Sequence, residues 1–260
     1  PRGTVARDQI ELSVVGYEVL VPGQPLSGGI PFAQGALVST ENLKIFDNDG
    51  GELPLQAVAL VRWPDGSVKV ALIDMGSPPA GYDGTTVTLE YGYDVQPSPV
   101  GNGIQISEDE QFLTVATPGL KAEFDRTKSA LFTRLWFDDD ENLDEASLFT
   151  RDDAPATISI IDDEGNVYDT LGPPDSIVVE EGGPLRAVVR LDGHHTGPAG
   201  EFFTYQIRLT FFLNGGCVKL SYRWGNDVAA QEFTKFRRIR FEVPLALAED
   251  AVFAIGADEA

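Results

Sequence analysis

The run from Leu53 to Met75 constrains this chain most: two stretches rich in Val, Leu and Ala flank Pro64-Asp65-Gly66-Ser67. Proline presets the entry φ of a tight turn and glycine accepts a positive φ, so the stretches are expected to fold back as a β-hairpin. The segment before it has the same grammar on a shorter scale: Ile45-Phe46, then Asp47-Asn48-Asp49-Gly50-Gly51, then Glu52-Leu53. Consecutive hairpins build barrels and sandwiches rather than helical folds.

The remaining chain continues in this manner. Ile10 to Val14, Tyr17 to Val21 and Thr85 to Tyr91 alternate like half-buried strands, while Gln24 to Gly35 and Ser77 to Gly81 read as Pro/Gly-rich loops. Asp94 to Gly103, with Pro97, Pro99, Gly101 and Gly103, has the composition of a linker that pairs poorly. A domain break is therefore expected there, giving units 1–97 and 98–260. In the second unit, strands are expected at Phe112 to Ala116, Leu120 to Phe124, Leu131 to Phe137, Thr157 to Ile161, Ile177 to Glu180 and Arg186 to Leu191. Three more follow at Phe202 to Leu213, Val218 to Trp224 and Phe236 to Val243, and only Asp140 to Thr150 could make a helical turn or two. Many short strands divided by Gly, Pro and Asp turns predict an all-β protein.

Two blocks carry a family resemblance. Gly29-Ile30-Pro31-Phe32, Leu43-Lys44-Ile45-Phe46-Asp47, Leu53-Pro54-Leu55-Gln56 and Arg62-Trp63-Pro64-Asp65-Gly66-Ser67-Val68-Lys69 occur in an order that resembles the N-terminal RIFT-type barrel of exo-rhamnogalacturonan-lyase-like (YetA-like) proteins. The second block, Gly183-Pro184-Leu185-Arg186-Ala187-Val188-Val189-Arg190-Leu191-Asp192-Gly193-His194 with Tyr205-Gln206-Ile207-Arg208-Leu209-Thr210-Phe211-Phe212, is similar to their central β-sandwich. The resemblance implies a RIFT-type β-barrel followed by an antiparallel β-sandwich. In that family a C-terminal α/α toroid follows and contributes to the lyase active site; these 260 residues contain no helical repeat. No lyase activity is expected of this chain by itself.

Charge narrows the partners. Forty-one acidic residues against nineteen basic ones give a formal net charge of -22. Such a surface repels nucleic acid and anionic membrane, and its self-repulsion calls for screening by salt or cations. A salt-adapted protein at the cell surface or outside the cell is the reading this supports. Cys217 is the single cysteine, so no intrachain disulfide forms, and a small strand residue is the expected role.

Few residues carry candidate chemistry. Asp47-Asn48-Asp49-Gly50 and Asp162-Asp163-Glu164-Gly165-Asn166 lack the remaining ligands of a calcium loop and read as hairpin tips. The densest acidic run, Asp138-Asp139-Asp140-Glu141 with Asp144, Glu145, Asp152 and Asp153, suits weakly bound calcium or magnesium if it is not simply a solvated loop. No other cofactor is implied, since phosphate-cradling and dinucleotide motifs are missing from the sequence.

His194 and His195 are the only histidines and stand where a strand meets a turn; on an extended strand they point to opposite faces. Exposed turn residues are the expectation for both, with carbohydrate contact as the functional alternative. Trp63, Trp136 and Trp224 could stack on sugar rings, and Trp224, beside Gly225-Asn226-Asp227, is the one expected at the surface. Arg237, Arg238 and Arg240 stand on one strand whose Ile239, Phe241 and Val243 are expected to point inward. Their guanidinium forks suit an acidic polysaccharide or the acidic run of a neighbouring copy. Three functions stay open: a non-catalytic module with a structural or carbohydrate-contact role, the front part of a polysaccharide lyase, and a subunit of a homo-oligomer, filament or virion.

Overall fold

The computed structural model describes residues 5–14, 25–76, 86–128, 131–137, 147–148, 150, 154–214, 216–227 and 233–246. Among these there is no helix, and the protein is all-β. The expected strand from Tyr17 to Val21, the connection from Ser77 to Gly81 and the acidic run around Asp138, Asp139, Asp140 and Glu141 lie outside the described residues.

The first unit contains β1 (Asp8–Ser13), β2 (Leu26–Pro31), β3 (Leu43–Phe46), β4 (Glu52–Leu53), β5 (Leu55–Arg62), β6 (Val68–Met75) and β7 (Thr86–Tyr91). They form a four-stranded sheet, β1-β7-β3-β4, and a three-stranded sheet, β2-β6-β5. Leu37, Leu43, Ile45, Val68, Ala71 and Leu89 are buried between them. The β5–β6 turn closes as its residues dictate: Gly66 takes φ 86°, its N–H donates to Trp63 O (2.9 Å), and Asp65 Oδ1 accepts from the Ser67 N–H (3.0 Å) and hydroxyl (2.6 Å). Asp47 does the same for the β3–β4 turn, accepting from the Asp49 and Gly51 N–H groups. Trp63 is only half-buried, its indole N–H donating to Phe32 O (3.0 Å) and Lys69 Nζ lying 4.5 Å over its ring. The stretch from Gln24 to Gly35 is not wholly a loop, since β2 occupies part of it. Its Gly28-Gly29 pair obscures the strand in the sequence, yet Leu26 and Ile30 pack against the core.

The second unit contains β8 (Gln105–Glu108), β9 (Phe112–Thr117), β10 (Leu120–Asp125), β11 (Arg134–Phe137), β12 (Ser147–Leu148), β13 (Thr157–Asp162) and β14 (Val167–Asp169). It continues with β15 (Ser176–Gly182), β16 (Arg186–Gly197), β17 (Gly200–Phe212), β18 (Val218–Gly225) and β19 (Phe236–Glu242). A five-stranded sheet, β12-β11-β10-β9-β8, accompanies a larger sheet of order β18-β17-β16-β14-β13-β19, in which β15 also pairs with β16. Alternate residues of the long β16–β17 hairpin enter a core with Leu113, Val115 and Phe124: Ala187, Val189 and Leu191 from one strand, Ile207, Leu209 and Phe211 from the other. Phe124 meets Phe211 edge to face at 6.3 Å.

The linker is held better than its composition predicts. The Ser98 N–H and hydroxyl donate to the Glu52 carboxylate, Val95 is buried, and the Ile104 N–H donates to Pro184 O (3.0 Å). Desolvation pushes the Glu52 carboxyl up, but the Ser98 and Lys44 contacts prevail and hold it below its ordinary value. Across the gap, buried Gln56 of β5 reads the backbone of the sandwich: its Oε1 accepts from the Leu185 and Arg186 N–H groups (2.9 Å each), and its Nε2 donates to Arg186 O (3.1 Å). Arg186 Nη1 in turn lies 3.2 Å from Oδ1 of fully buried Asp74, which also accepts from Ser27 Oγ, while Asp74 Oδ2 has no partner among the described residues. Desolvation outweighs Ser27 and Arg186, and nearby Glu181 adds to it, so the Asp74 carboxyl is pushed up.

Candidate functional site

The outer face of the sandwich's large sheet carries a polar lattice. Arg190 and Arg208 are directly opposite in the β16–β17 register, a repulsive pairing by itself. Glu180 of β15 resolves it, binding Arg208 with both oxygens (2.6 and 3.0 Å) and Arg190 Nη1 with one (2.8 Å). The Arg208 hydrogen bonds are foremost in holding the Glu180 carboxyl below its ordinary value. Asp192 is similarly saturated, accepting from Arg190 Nε (2.8 Å), Gln206 Nε2 (2.9 Å) and Ser176 Oγ (3.1 Å).

At the end of this lattice lies a concavity of about 400 Å³, whose lining includes Asp175, His194, Thr204, Gln206, Arg223 and Trp224. His194 sits between two carboxylates, Nδ1 3.2 Å from Asp175 Oδ2 and Nε2 3.2 Å from Asp227 Oδ2. Both ring nitrogens are thus engaged, and neither is left free to take a proton from a ligand. Arg223, opposite Gln206 in the β17–β18 register, is exposed and has no hydrogen bond or ion pair among the described residues. Trp224 is 41% exposed, its ring stacked on Phe203 at 5.1 Å and met edge-on by Phe236 at 5.1 Å.

His195 corrects the expectation of two exposed turn histidines. Here β16 runs on through Gly197, and an irregularity in the β16–β17 register follows His194. The opposite-face reading holds: His194 faces outward, while His195 is wholly buried and cannot touch a carbohydrate. Its Nδ1 lies 2.8 Å from Phe203 O and so carries the proton, leaving Nε2 to accept from the Tyr222 hydroxyl (3.0 Å). Desolvation lowers the His195 pKa, and burial raises those of Tyr222 and Tyr205. Tyr205 is paired with Gly193, where a Cβ would fall 2.5 Å from the Tyr205 hydroxyl.

The other predicted residues are dispersed. Lys121 Nζ covers the Trp136 ring at 4.8 Å, and both Trp136 and Trp63 are half-buried, so Trp224 is the most exposed of the three tryptophans. Cys217 is half-buried, and burial raises its thiol pKa. Arg237, Arg238 and Arg240 stand on β19, an outer strand of the large sheet, where Arg237 donates to Asp163 O and Arg240 lies 3.6 Å from Glu242. Ile239 packs on the core, but Phe241 and Val243 are largely exposed, contrary to the inward alternation expected of them. The Asp47 and Asp162 tips are ordinary turns: Asp162 Oδ1 accepts from the Glu164, Gly165 and Asn166 N–H groups, and among the described residues no cluster of acidic, His or Cys side chains is arranged to hold a metal.

Sequence reasoning reached His194 and Trp224 but missed Asp175, Asp227 and Arg223. The first comes from the approach to β15 and the other two from β18 and its end; strand register alone assembles them. Residues 104–251 match the family model of the PcRGLX-like protein central beta sandwich domain, and residues 20–87 match that of the PcRGLX-like N-terminal RIFT barrel domain. No curated protein matches the chain. The two matches occur in the order of the two units described above, and the chain belongs to the PcRGLX-like proteins.

Proposed function

We propose that this chain is a non-catalytic carbohydrate-contact module that engages an acidic polysaccharide through the outer face of its β-sandwich. The observation that carries the reading is the outer-face concavity that brings Arg223, without a partner among the described residues, beside the doubly bracketed His194; Trp224 borders it, but its ring turns to the other face of β18, against Phe203. A guanidinium recognises a sugar carboxylate through paired hydrogen bonds, and the polar side chains of Thr204 and Gln206 beside it offer further partners to sugar hydroxyls. Kinship with rhamnogalacturonan lyase modules favours uronic-acid polymers as the partner class. β-Elimination requires a base at the sugar carbon and a donor or cation at the carboxylate. Arg223 suits the second role, but His194, engaged at both nitrogens, is ill-suited to the first.

Incubating the chain with rhamnogalacturonan oligosaccharides while recording both binding heat and ultraviolet absorbance tests this. Saturable binding without unsaturated-uronide absorbance is the expected result. Absorbance that grows with time and vanishes in His194→Ala would replace the module by a lyase.

A further inference from the structure

Strand β5 is an outer strand whose one charge, Arg62, stands at its end; β2, the other edge of its sheet, is uncharged too but carries Gly28-Gly29 and ends in Pro31. Native sheets guard their edges with charge, and here β1 carries Asp8 and Glu11, β15 carries Glu180 and Glu181, β18 carries Lys219 and Arg223, and β19 carries three arginines. From Leu53 to Val61 there is no charged residue, in a chain of net charge -22. Register shifts between Ala59 and Arg62 leave Leu60 opposite no residue of β6, and such bulges re-aim side chains. Val58, Leu60 and Val61 are 38%, 55% and 46% exposed.

This apolar surface continues an interface that already exists. Gln56 and Asp74 are opposite in the β5–β6 register and contact the sandwich; Val58 and Leu72 are the next such pair on that face, and Val58 is uncovered. At one end two cations border it that have no carboxylate partner among the described residues: Arg62 donates to Val38 O and Gly66 O, and Lys69 lies over Trp63. At the other end Val58 shares a groove with Glu41, Glu180 and Glu181, so the apolar strip is basic at one end and acidic at the other, and a two-fold copy running antiparallel sets the basic end of each beside the acidic end of its partner.

We infer that a second copy of the chain docks here, placing Val58, Leu60 and Val61 against their own equivalents about a two-fold axis. An isologous contact needs only one self-compatible patch, and an uncharged apolar strip meets that condition. Screening the net charge strengthens the association, so the dimer gains population with salt.

Sedimentation equilibrium of the full chain at low and high salt tests the inference over a wide concentration range. The expected result is a monomer–dimer equilibrium shifted toward dimer by salt and unchanged in His194→Ala, which alters the distant carbohydrate site. Val58→Lys with Leu60→Lys should return the monomer mass. Leu60→Ser, a milder change that keeps the strand uncharged, should raise the dissociation constant about tenfold, the size expected for losing one exposed apolar side chain from a contact. A monomer at every concentration and salt, or a dimer unaffected by both sets of substitutions, would overturn the inference. A larger assembly that survives the lysine substitutions would place self-association on another surface.

Discussion

Two adjacent histidines have opposite fates because one residue on a strand changes sides. His195 is neutral within its hydrogen bonds to Phe203 O and Tyr222, and its pKa lies below the ordinary 6.5. A group whose folded pKa is depressed this way contributes stability above 6.5, and that contribution is lost as pH falls from 6.5 through the folded value, because the unfolded chain takes up the proton first. Asp74 has the opposite sign: its pKa is raised above 3.8, so its stabilisation is greatest below 3.8 and is lost as pH rises through the folded value. Thermal melts across pH should show both slopes, with His195→Phe removing the one below 6.5 and Asp74→Asn removing the one above 3.8. His195→Ala should lower stability by about 2–4 kcal/mol at neutral pH, through a cavity and a Tyr222 hydroxyl and Phe203 carbonyl left unpaired. A smaller loss than Tyr222→Phe produces would contradict that account.

Among the elements, the hairpins were the most legible in sequence, because Asp65-Gly66 and Asp47 to Gly51 prescribe turn geometry locally. β2 was not legible: glycine pairs signal loops, and only pairing with β6 reveals a strand in Leu26–Pro31. The candidate site was half legible for the same reason. Trp224 advertises itself beside a turn, whereas the approach of Asp175 to His194 depends on the β15–β16 register over many residues. The contact between the two units was invisible, since nothing in Leu-Gln-Ala distinguishes Gln56 from an exposed strand residue. Its clasp makes an element-scale prediction. A Cβ at Gly183 would lie 2.1 Å from Gln56 Cδ, so Gly183→Ala displaces a side chain holding three hydrogen bonds to Leu185 and Arg186. At about 0.5–1.5 kcal/mol net per bond, a loss of roughly 2–4 kcal/mol is expected. Calorimetry should then resolve two transitions or a broadened one; a single unshifted transition would show that the clasp contributes nothing.

At the scale of the whole molecule, the net charge of -22 opposes compactness. The melting temperature should climb as salt shortens the Debye length from about 30 Å at 0.01 M to about 3 Å at 1 M. A flat or falling trend would remove the case for salt adaptation. The functional claim makes a sharper demand, because it assigns ligand contact to one end of one sheet. In a backbone-amide NMR titration with rhamnogalacturonan oligosaccharide, the account predicts saturable shifts concentrated at His194, Thr204, Arg223, Trp224 and Gly225. Arg223→Ala should weaken the fitted affinity at least tenfold, the loss expected of a charge-assisted carboxylate contact. Shifts centred on the barrel or on the Gln56 contact between the units, or full affinity in Arg223→Ala, would contradict it.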